Sequence, residues 1–357
     1  PVAESGSLRQ EMKLLAIRFS ALGDVAMTVP VIDSLARRYP QHDFVFVSRP
    51  FVAPLFGRMP SNVRFIGVDV KQYPGLQGLY RLFKVLKKEA PDAVADLHDV
   101  LRTKVLRTFF RLGGVRTASI DKGRKEKKEL TRPHKGIPNP LKTSFERYED
   151  VFRRLGLEVE TTFRSVFEDE AADVSPLIPL TGTKGADRWI GIAPFAAHRG
   201  KILPERIMEE LIGLLSSMTG YKVFLFGGGK AEKEKLEAWE KRYPQTVSLA
   251  GKLKMTEELA LMSRLDAMVS MDSANMHLAS LVGTPVISVW GATHPAAGFM
   301  GWGQSEENAV QLDLECRPCS IYGNKPCRRG DYACLESIQA VDILNKIKRV
   351  SNDESKE

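Results

Sequence analysis

Short apolar runs alternate along the chain with longer stretches in which apolar residues recur every three or four positions. Runs such as 13–19 and 93–96 are almost continuously apolar, which is typical of strands buried on both faces of a parallel sheet. Stretches such as 101–112 and 205–218 have the period of an amphipathic helix. Strand and helix therefore alternate, and the pattern predicts an α/β fold.

The alternation occurs twice. The first series predicts strands at 13–19, 44–47, 63–68, 93–96 and 115–120, with helices at 25–35, 78–88, 101–112 and 145–155. The second predicts strands at 189–193, 222–226, 247–249, 267–269 and 286–291, with helices at 205–218, 231–241, 256–263, 273–282 and 341–350. Residues 168–187 between them are acidic, then rich in Pro, Gly and Thr. We predict two Rossmann-like doubly wound domains, 12–175 and 188–350, whose strand ends meet at a cleft.

The first residues of the chain and its apolar runs indicate where in the cell the protein is expected. No apolar run reaches about 18 residues, which argues against a membrane-spanning helix. The first dozen residues are polar and lack the apolar centre of a secretory signal. We expect a cytoplasmic protein, and we leave residues 1–11, which precede Met12, out of the fold prediction as an extension.

The chain is basic, with a net charge of +8 and a pI of about 9.2, which favours anionic partners. Much of the excess lies in 122–135, where seven cations face two acids. Aromatic residues are absent there, so we exclude nucleic acid as a partner. The simplest interpretation is a solvated charged loop. The alternative is a mobile cationic loop that binds an anionic substrate and the inner membrane surface.

Candidate chemistry begins at 267–280, where a buried strand leads into a helix that starts near Asp272 and Ser273. Both residue types cap helices well, and the free N–H groups of a first helical turn bind phosphate. The plain alternative is an ordinary βαβ unit in which Asp272 only caps the helix and His277 is a partly buried helix residue.

A second candidate is the turn SALGD at 20–24, which follows the first strand. Gly23 allows a tight turn, and Asp24 is either a helix cap or a general base that accepts a proton from an attacking hydroxyl. The glycine spacing of a dinucleotide fingerprint and the Gly/Lys/Ser run of a P-loop are both missing. Hydride transfer and P-loop ATP hydrolysis therefore lack their markers.

Further candidates follow strands of the second series. Lys201, with Arg199 nearby, is placed to pair with phosphate oxygens, although an exposed lysine is the alternative. Gly227 and Gly228 would let a ligand approach the backbone, and Met255 would cover a nucleobase unless it is simply core.

In combination, these elements resemble the heptosyltransferases of lipopolysaccharide synthesis, glycosyltransferase family 9. The matching pieces are IRFSALGDV at 17–25, Lys201 with the following Leu203 and Pro204, MDSANMHLA at 271–279, and the cysteines from 316 to 334. The resemblance covers about 12–350. It implies the GT-B architecture, an ADP-heptose donor, a lipid-linked anionic oligosaccharide acceptor and no cofactor.

The resemblance also implies roles for single residues. Asp24 matches the proposed catalytic base, and Lys201 matches the residue that stabilises the departing diphosphate. Asp272, Ser273, Ala274 and His277 match the turn that binds the pyrophosphate and sugar. Apart from the resemblance, we predict acceptor contacts from Ser20 and Gly23, and from Lys125, Lys127 and Lys128 if the basic loop binds the anionic acceptor. No metal is needed if a cation and a helix end neutralise the leaving group.

Two local departures leave the donor sugar open. The donor loop reads Pro194-Phe195-Ala196 where Pro-Gly-Ala is more usual, and Ser273-Ala274 stands where Thr-Gly or Ser-Gly is more usual. The rival hypotheses are a GT-B transferase or epimerase acting on another nucleotide sugar, and a non-catalytic binding protein of the same shape.

All four cysteines lie close together as C-x2-C-x7-C-x6-C, at 316, 319, 327 and 334. A structural zinc, reduced buried thiols and a disulfide are the alternatives, and the cytosol disfavours the last. We predict no metal at this cluster or at the candidate site.

Overall fold

The computed structural model describes residues 11–133 and 138–351. Contacts divide them into two units. Unit 1 comprises the residues up to Ala21, Thr28–Lys122 and Phe145–Phe163. Unit 2 comprises Leu22–Met27, Gly123–Ser144 and the residues from Arg164 onward.

Unit 1 contains a five-stranded parallel sheet in the order β3-β2-β1-β4-β5. Its strands are β1 (Lys13–Ile17), β2 (Asp43–Ser48), β3 (Val63–Gly67), β4 (Ala93–Asp96) and β5 (Arg116–Ser119). The helices between or after them are α2 (Val29–Arg38), α3 (Gly75–Lys87), α4 (Leu101–Leu112) and α6 (Ser144–Arg154). The interior strands β1, β2 and β4 are buried along nearly their whole length, as their continuous apolar character predicts.

Unit 2 repeats this plan, with a parallel sheet in the order β10-β9-β6-β7-β8. Its strands are β6 (Arg188–Ala193), β7 (Tyr221–Leu225), β8 (Thr246–Ser248), β9 (Ala267–Met271) and β10 (Val286–Val289). Its helices are α1 (Leu22–Ala26), α5 (Arg124–Leu130), α7 (Ile178–Thr181), α8 (Glu205–Ser217), α9 (Lys230–Arg242), α10 (Met255–Met262), α11 (Ala274–Leu281), α12 (Ala333–Glu336) and α13 (Ala340–Ser351). Two Rossmann-like α/β folds are therefore confirmed.

One helix prediction and one loop prediction were wrong in their local detail. The single helix expected at 25–35 is broken into α1 and α2, because Pro30 has no N–H to donate to the carbonyl four residues earlier and instead occupies the first turn of α2. The basic segment at 122–135 is not a loop throughout, since α5 spans Arg124–Leu130. Lys135 lies outside the described residues.

The contact-based units differ from the predicted linear ranges. α1 and α5 come from the first half of the sequence and belong to unit 2, and residues from Arg164 to 175 belong there as well. That 12–175 and 188–350 are the folding domains stays a prediction.

Among the helices of residues 11–133 and 138–351, none is both long enough and apolar enough to cross a bilayer.

Candidate functional site

The site is built around the contact of α1 with α11, both in unit 2. A Cβ atom on Gly23 would lie 2.9 Å from Cδ2 of His277 and 3.4 Å from the Cα atom of Ala274. The absence of a side chain at Gly23 therefore lets the turn that carries Asp24 approach α11 closely. Asp24 itself is half-buried in the first turn of α1.

An ion pair joins two other predicted residues. Lys201 ends a short 3₁₀ turn, Arg199–Lys201, and its Nζ lies 2.9 Å from Oδ2 of Asp272, which follows β9 directly. Both side chains are largely buried. The pair holds an ammonium group where β9 leads into α11. The N-cap position of α11 is occupied by Ser273, so the structure does not give Asp272 the capping role of the plain alternative.

His277 lies where these charges meet. Burial lowers the pKa of His277 to about 4, against the opposing effect of the carboxylates of Asp272 and Asp24, while the Lys201 ammonium lowers the pKa further. The ring is therefore neutral at neutral pH. Its Nδ1 atom is buried and has no hydrogen-bond partner within the described part of the chain.

The start of α11 keeps backbone donors available. Ser273 occupies the N-cap position but makes no side-chain capping bond, and its hydroxyl lies 3.3 Å from that of Ser270. The first N–H groups of an uncapped helix suit an anion, which the positive end of the helix dipole also favours. Ser273 and Ala274 thus lie where the sequence predicts a phosphate-binding turn.

The two predicted glycines after β7 differ in their surroundings. A Cβ atom on Gly227 would lie 2.9 Å from Leu236 and 3.1 Å from the carboxylate of Glu232, whereas one on Gly228 would have no atom within 4 Å. The Gly228 N–H donates to Glu232 at 2.8 Å. A side chain at Gly227 would therefore need Leu236 or Glu232 to shift, whereas Gly228 borders open space that a ligand could fill. Met255 begins α10 and is half-buried.

Lys201 is supported by a residue that was not predicted from the sequence. Gly323 has a positive φ of 71°, and a Cβ atom there would lie 2.6 Å from Cγ of Lys201. Nearby, the Arg199 guanidinium lies 4.6 Å from the ring centre of Tyr332 and donates to Glu336. The cysteine-containing segment therefore packs against the Lys201 turn. A lone glycine in a polar segment offers no signal for this contact in the sequence.

The four cysteines are free thiols. Burial raises the pKa of Cys334 to about 11 and also raises that of Cys319, so both remain protonated at neutral pH. Within the residues described, no three His, Cys, Asp or Glu side chains are arranged to hold a metal ion. The structure thus has reduced thiols rather than a disulfide.

The lysines of α5 that are predicted to contact the acceptor differ in exposure. On α5, Lys125 and Lys128 are exposed, but Lys127 is only 8% exposed and its Nζ lies 4.5 Å from the ring centre of Phe299. α5 packs through Leu130 against Ala296 and Ala297. Lys127 therefore faces the interior of unit 2.

Ser20 belongs to unit 1, where its hydroxyl lies 3.3 Å from Nε2 of His98. The Phe19 N–H donates to Nδ1 of the same ring, so the imidazole proton resides on Nε2, which can donate to Ser20. His98 was not among the residues predicted from the sequence. The pattern that could have identified it is a polar residue just after β4, the strand that pairs with β1.

The chain has two Rossmann-like units. In unit 2, a lysine and a helix N-terminus without a side-chain cap follow the strands. This combination is that of the GT-B class of glycosyltransferase. The model of glycosyltransferase family 9 (heptosyltransferase) matches residues 79–328. This is more than half of the chain, and the protein belongs to that family.

The chain is also similar to individual proteins in sequence or in fold. The chain is 24% identical over 322 residues to lipopolysaccharide heptosyltransferase 1 of Pseudomonas aeruginosa, covering 86% of each chain. The fold matches that of an ADP-heptose lipopolysaccharide heptosyltransferase II of Escherichia coli, with a TM-score of 0.70, 20% identity and coverage of 96% and 99%. It also matches a family 9 glycosyltransferase of Veillonella parvula, with a TM-score of 0.74, 18% identity and coverage of 96% and 98%.

Proposed function

We propose that this protein is an inverting glycosyltransferase that moves a heptose from ADP-heptose to the inner core of lipopolysaccharide. Membership of the heptosyltransferase family supports the reaction class. The observation that carries the proposal is that Asp24, Lys201 and the start of α11 lie together within one unit. The turn with Asp24 packs against α11, and Lys201 pairs with Asp272 just before α11. These are a base, a cation and a helix start, the three parts that the transfer needs.

In the proposed mechanism, Asp24 accepts the proton of the acceptor hydroxyl as that oxygen attacks the anomeric carbon of the donor. The new bond forms on the face opposite the leaving ADP, so the configuration inverts. Lys201 and the first N–H groups of α11, at Ser273 and Ala274, neutralise the charge that develops on the diphosphate.

The ion pair of Lys201 with Asp272 gives that cation a fixed position before the donor binds. A lysine side chain is flexible, so holding its ammonium group in place removes part of the ordering cost of diphosphate binding. Neutral His277 adds no second positive charge beside it. Gly228 and Met255 would border the nucleoside.

For the acceptor, we propose contacts with Ser20, Gly23 and the exposed Lys125 and Lys128, since the inner core carries phosphate and carboxylate groups. Lys127 instead anchors α5 through Phe299. We also propose that the enzyme works in the cytoplasm, in peripheral contact with the inner face of the membrane where a lipid-linked acceptor resides.

The test combines product analysis with one substitution. Wild type is incubated with a lipid A–Kdo acceptor and ADP-heptose, and we expect mass spectrometry to detect addition of one heptose. Asp24→Asn should reduce turnover by at least about 100-fold while ADP still raises the Tm, because the change removes the base and leaves the donor contacts. Asp342→Asn, on the exposed surface of α13, is the control and should keep wild-type turnover.

Two results would refute parts of the proposal separately. Stabilisation and turnover with a UDP- or GDP-sugar, and none with ADP-heptose, would indicate another nucleotide-sugar enzyme. Wild-type turnover by Asp24→Asn would show that another group accepts the proton.

A further inference from the structure

Helices α3 and α4 of unit 1 pack together and share an unusual charge pattern. Residues 71–88 contain five Lys or Arg residues and residues 101–112 contain four, and neither segment contains Asp or Glu. On α4, Lys104 and Arg107 lie within 4 Å of Asp99, and Arg107 also pairs with Asp96. Part of the positive charge is therefore neutralised within unit 1.

The other cations of this helix pair point outward. Seven of them form no salt bridge in the described part of the chain: Lys71, Arg81, Lys84, Lys87, Lys88, Arg102 and Arg111. All are exposed except Arg102, which is half-buried. A surface with this excess of one charge attracts a polyanion over a distance of about 10 Å.

Large apolar side chains stand among these cations. Leu76 on α3 is 65% exposed, and Leu101 and Leu112 at the two ends of α4 are 79% and 80% exposed. The positions of Leu101 and Leu112 differ by eleven, about three helical turns, so they lie on the same outward face of α4. These are among the few exposed large hydrophobic residues of the described chain.

An open groove lies between the helices. Its volume is about 590 Å³, and its lining includes Leu76, Tyr80, Arg81 and Phe109. The ring centres of Tyr80 and Phe109 are 5.5 Å apart, and Nζ of Lys84 lies 4.9 Å from the ring centre of Tyr80. Apolar and cationic groups are thus interleaved.

We propose that the α3–α4 face, defined by the outward side chains of these two helices, docks on a bilayer of anionic phospholipids. Lysine and arginine would meet the headgroup phosphates, while leucine and tyrosine enter the interfacial layer. A nucleic acid or an acidic protein would use the cations but leave the leucines in water. This inference places the proposed membrane contact on α3–α4 rather than on α5, and it does not depend on heptosyl transfer.

The experiment is vesicle co-sedimentation of the full chain, without donor or acceptor. Vesicles of phosphatidylcholine alone are compared with vesicles containing 40% phosphatidylglycerol, a composition of roughly physiological anionic charge. We expect wild type to bind only the anionic vesicles, and to release them progressively as salt is raised.

Three matched double charge reversals locate the surface. Lys84→Glu/Lys88→Glu on α3 should weaken binding by at least about 30-fold, since each lost cation weakens it by roughly a factor of five. Lys125→Glu/Lys128→Glu on α5 and Lys233→Glu/Lys241→Glu on α9 make the same charge change elsewhere and should leave most of the binding. Leu76→Ser/Leu112→Ser should weaken binding with no change in charge, by about tenfold or more.

Several outcomes would overturn the proposal. They are no binding of wild type to anionic vesicles, equal loss in all three charge variants, loss only in the α5 variant, or full binding by the leucine variant. Tighter binding to duplex DNA than to anionic vesicles would also overturn it. The vesicle assay contains no sugar donor, so a lack of vesicle binding would not refute the proposed transfer reaction. Likewise, a lack of turnover would not refute the proposed membrane docking.

Discussion

At the scale of single residues, the environment of His277 links the candidate site to stability. Its pKa is about 4 in the folded protein, whereas an unfolded histidine has a pKa near 6.5. Between these values the unfolded chain binds a proton that the folded chain does not. The contribution to stability is therefore complete above about pH 6.5 and is lost as the pH falls towards 4.

We expect His277→Gln to reduce the acid sensitivity of the protein. The difference in unfolding free energy between pH 7 and pH 4 should shrink by about 3 kcal/mol relative to wild type, because glutamine takes up no proton. Urea denaturation at a series of pH values measures this. Parallel wild-type and variant curves over that range would show that His277 does not carry the effect.

Gly227 and Gly228 allow a second comparison at this scale. Gly227→Ala should lower stability by about 1–3 kcal/mol, because the new methyl group meets Leu236 and Glu232. Gly228→Ala meets no atom within 4 Å and should keep the wild-type Tm, yet raise KM for the donor if the nucleotide approaches that backbone. Thermal shift and donor titration separate the two, and an unchanged KM for Gly228→Ala would remove Gly228 from the proposed donor site.

At the scale of elements, the segment that contains the cysteines serves as a support for the Lys201 turn. The carbonyl of Gly200 accepts from the Ala292 N–H at 2.8 Å, and that of Ala292 accepts from the Cys319 N–H at 3.1 Å. With Gly323 beneath the lysine side chain, these contacts fix the direction in which the ammonium group points. The spacing of the four cysteines left zinc, reduced thiols and a disulfide as alternatives, and the structure adds this packing role.

Gly323→Ala tests that role against a control in the same segment, Gly330→Ala. Both glycines have positive φ, 71° and 81°, so both substitutions should cost about 1 kcal/mol or more in stability. Only the methyl group of the Gly323→Ala variant collides with Lys201, because the methyl group of Gly330→Ala would have no atom within 4 Å. We therefore expect kcat to fall by about tenfold or more for Gly323→Ala alone. Equal kcat values in the two variants would contradict the support role.

At the scale of the whole molecule, the sequence predicts the strands of both sheets closely. Continuous apolar runs such as 93–96 identify β4 to the residue, because buried parallel strands leave no room for polar alternation. The assignment of α1 and α5 to unit 2 has no local signal, since it depends on contacts with residues far along the chain. The Lys201–Asp272 pair was missed for the same reason, although both residues were identified singly.

A truncated chain tests how much α1 and α5 contribute to unit 2. Fragment 164–357 keeps all five strands of the second sheet but lacks α1 and α5. We expect hydrogen exchange in α11 and around Ala296 and Ala297 to be much faster in the fragment than in the full chain, because their partners are missing. The interior strand β6 is the internal reference and should change least. Equal protection of α11 in the two proteins would show that α1 contributes little.

The position of α1 also has a consequence for synthesis. A chain made on the ribosome emerges from its amino end, so Val25 and Ala26, both buried in the finished protein, leave the exit tunnel long before α11 exists. Until translation has passed residue 281, the contact of α1 with α11 cannot form. A segment near the start of the chain thus completes its packing only when most of the polypeptide has been made.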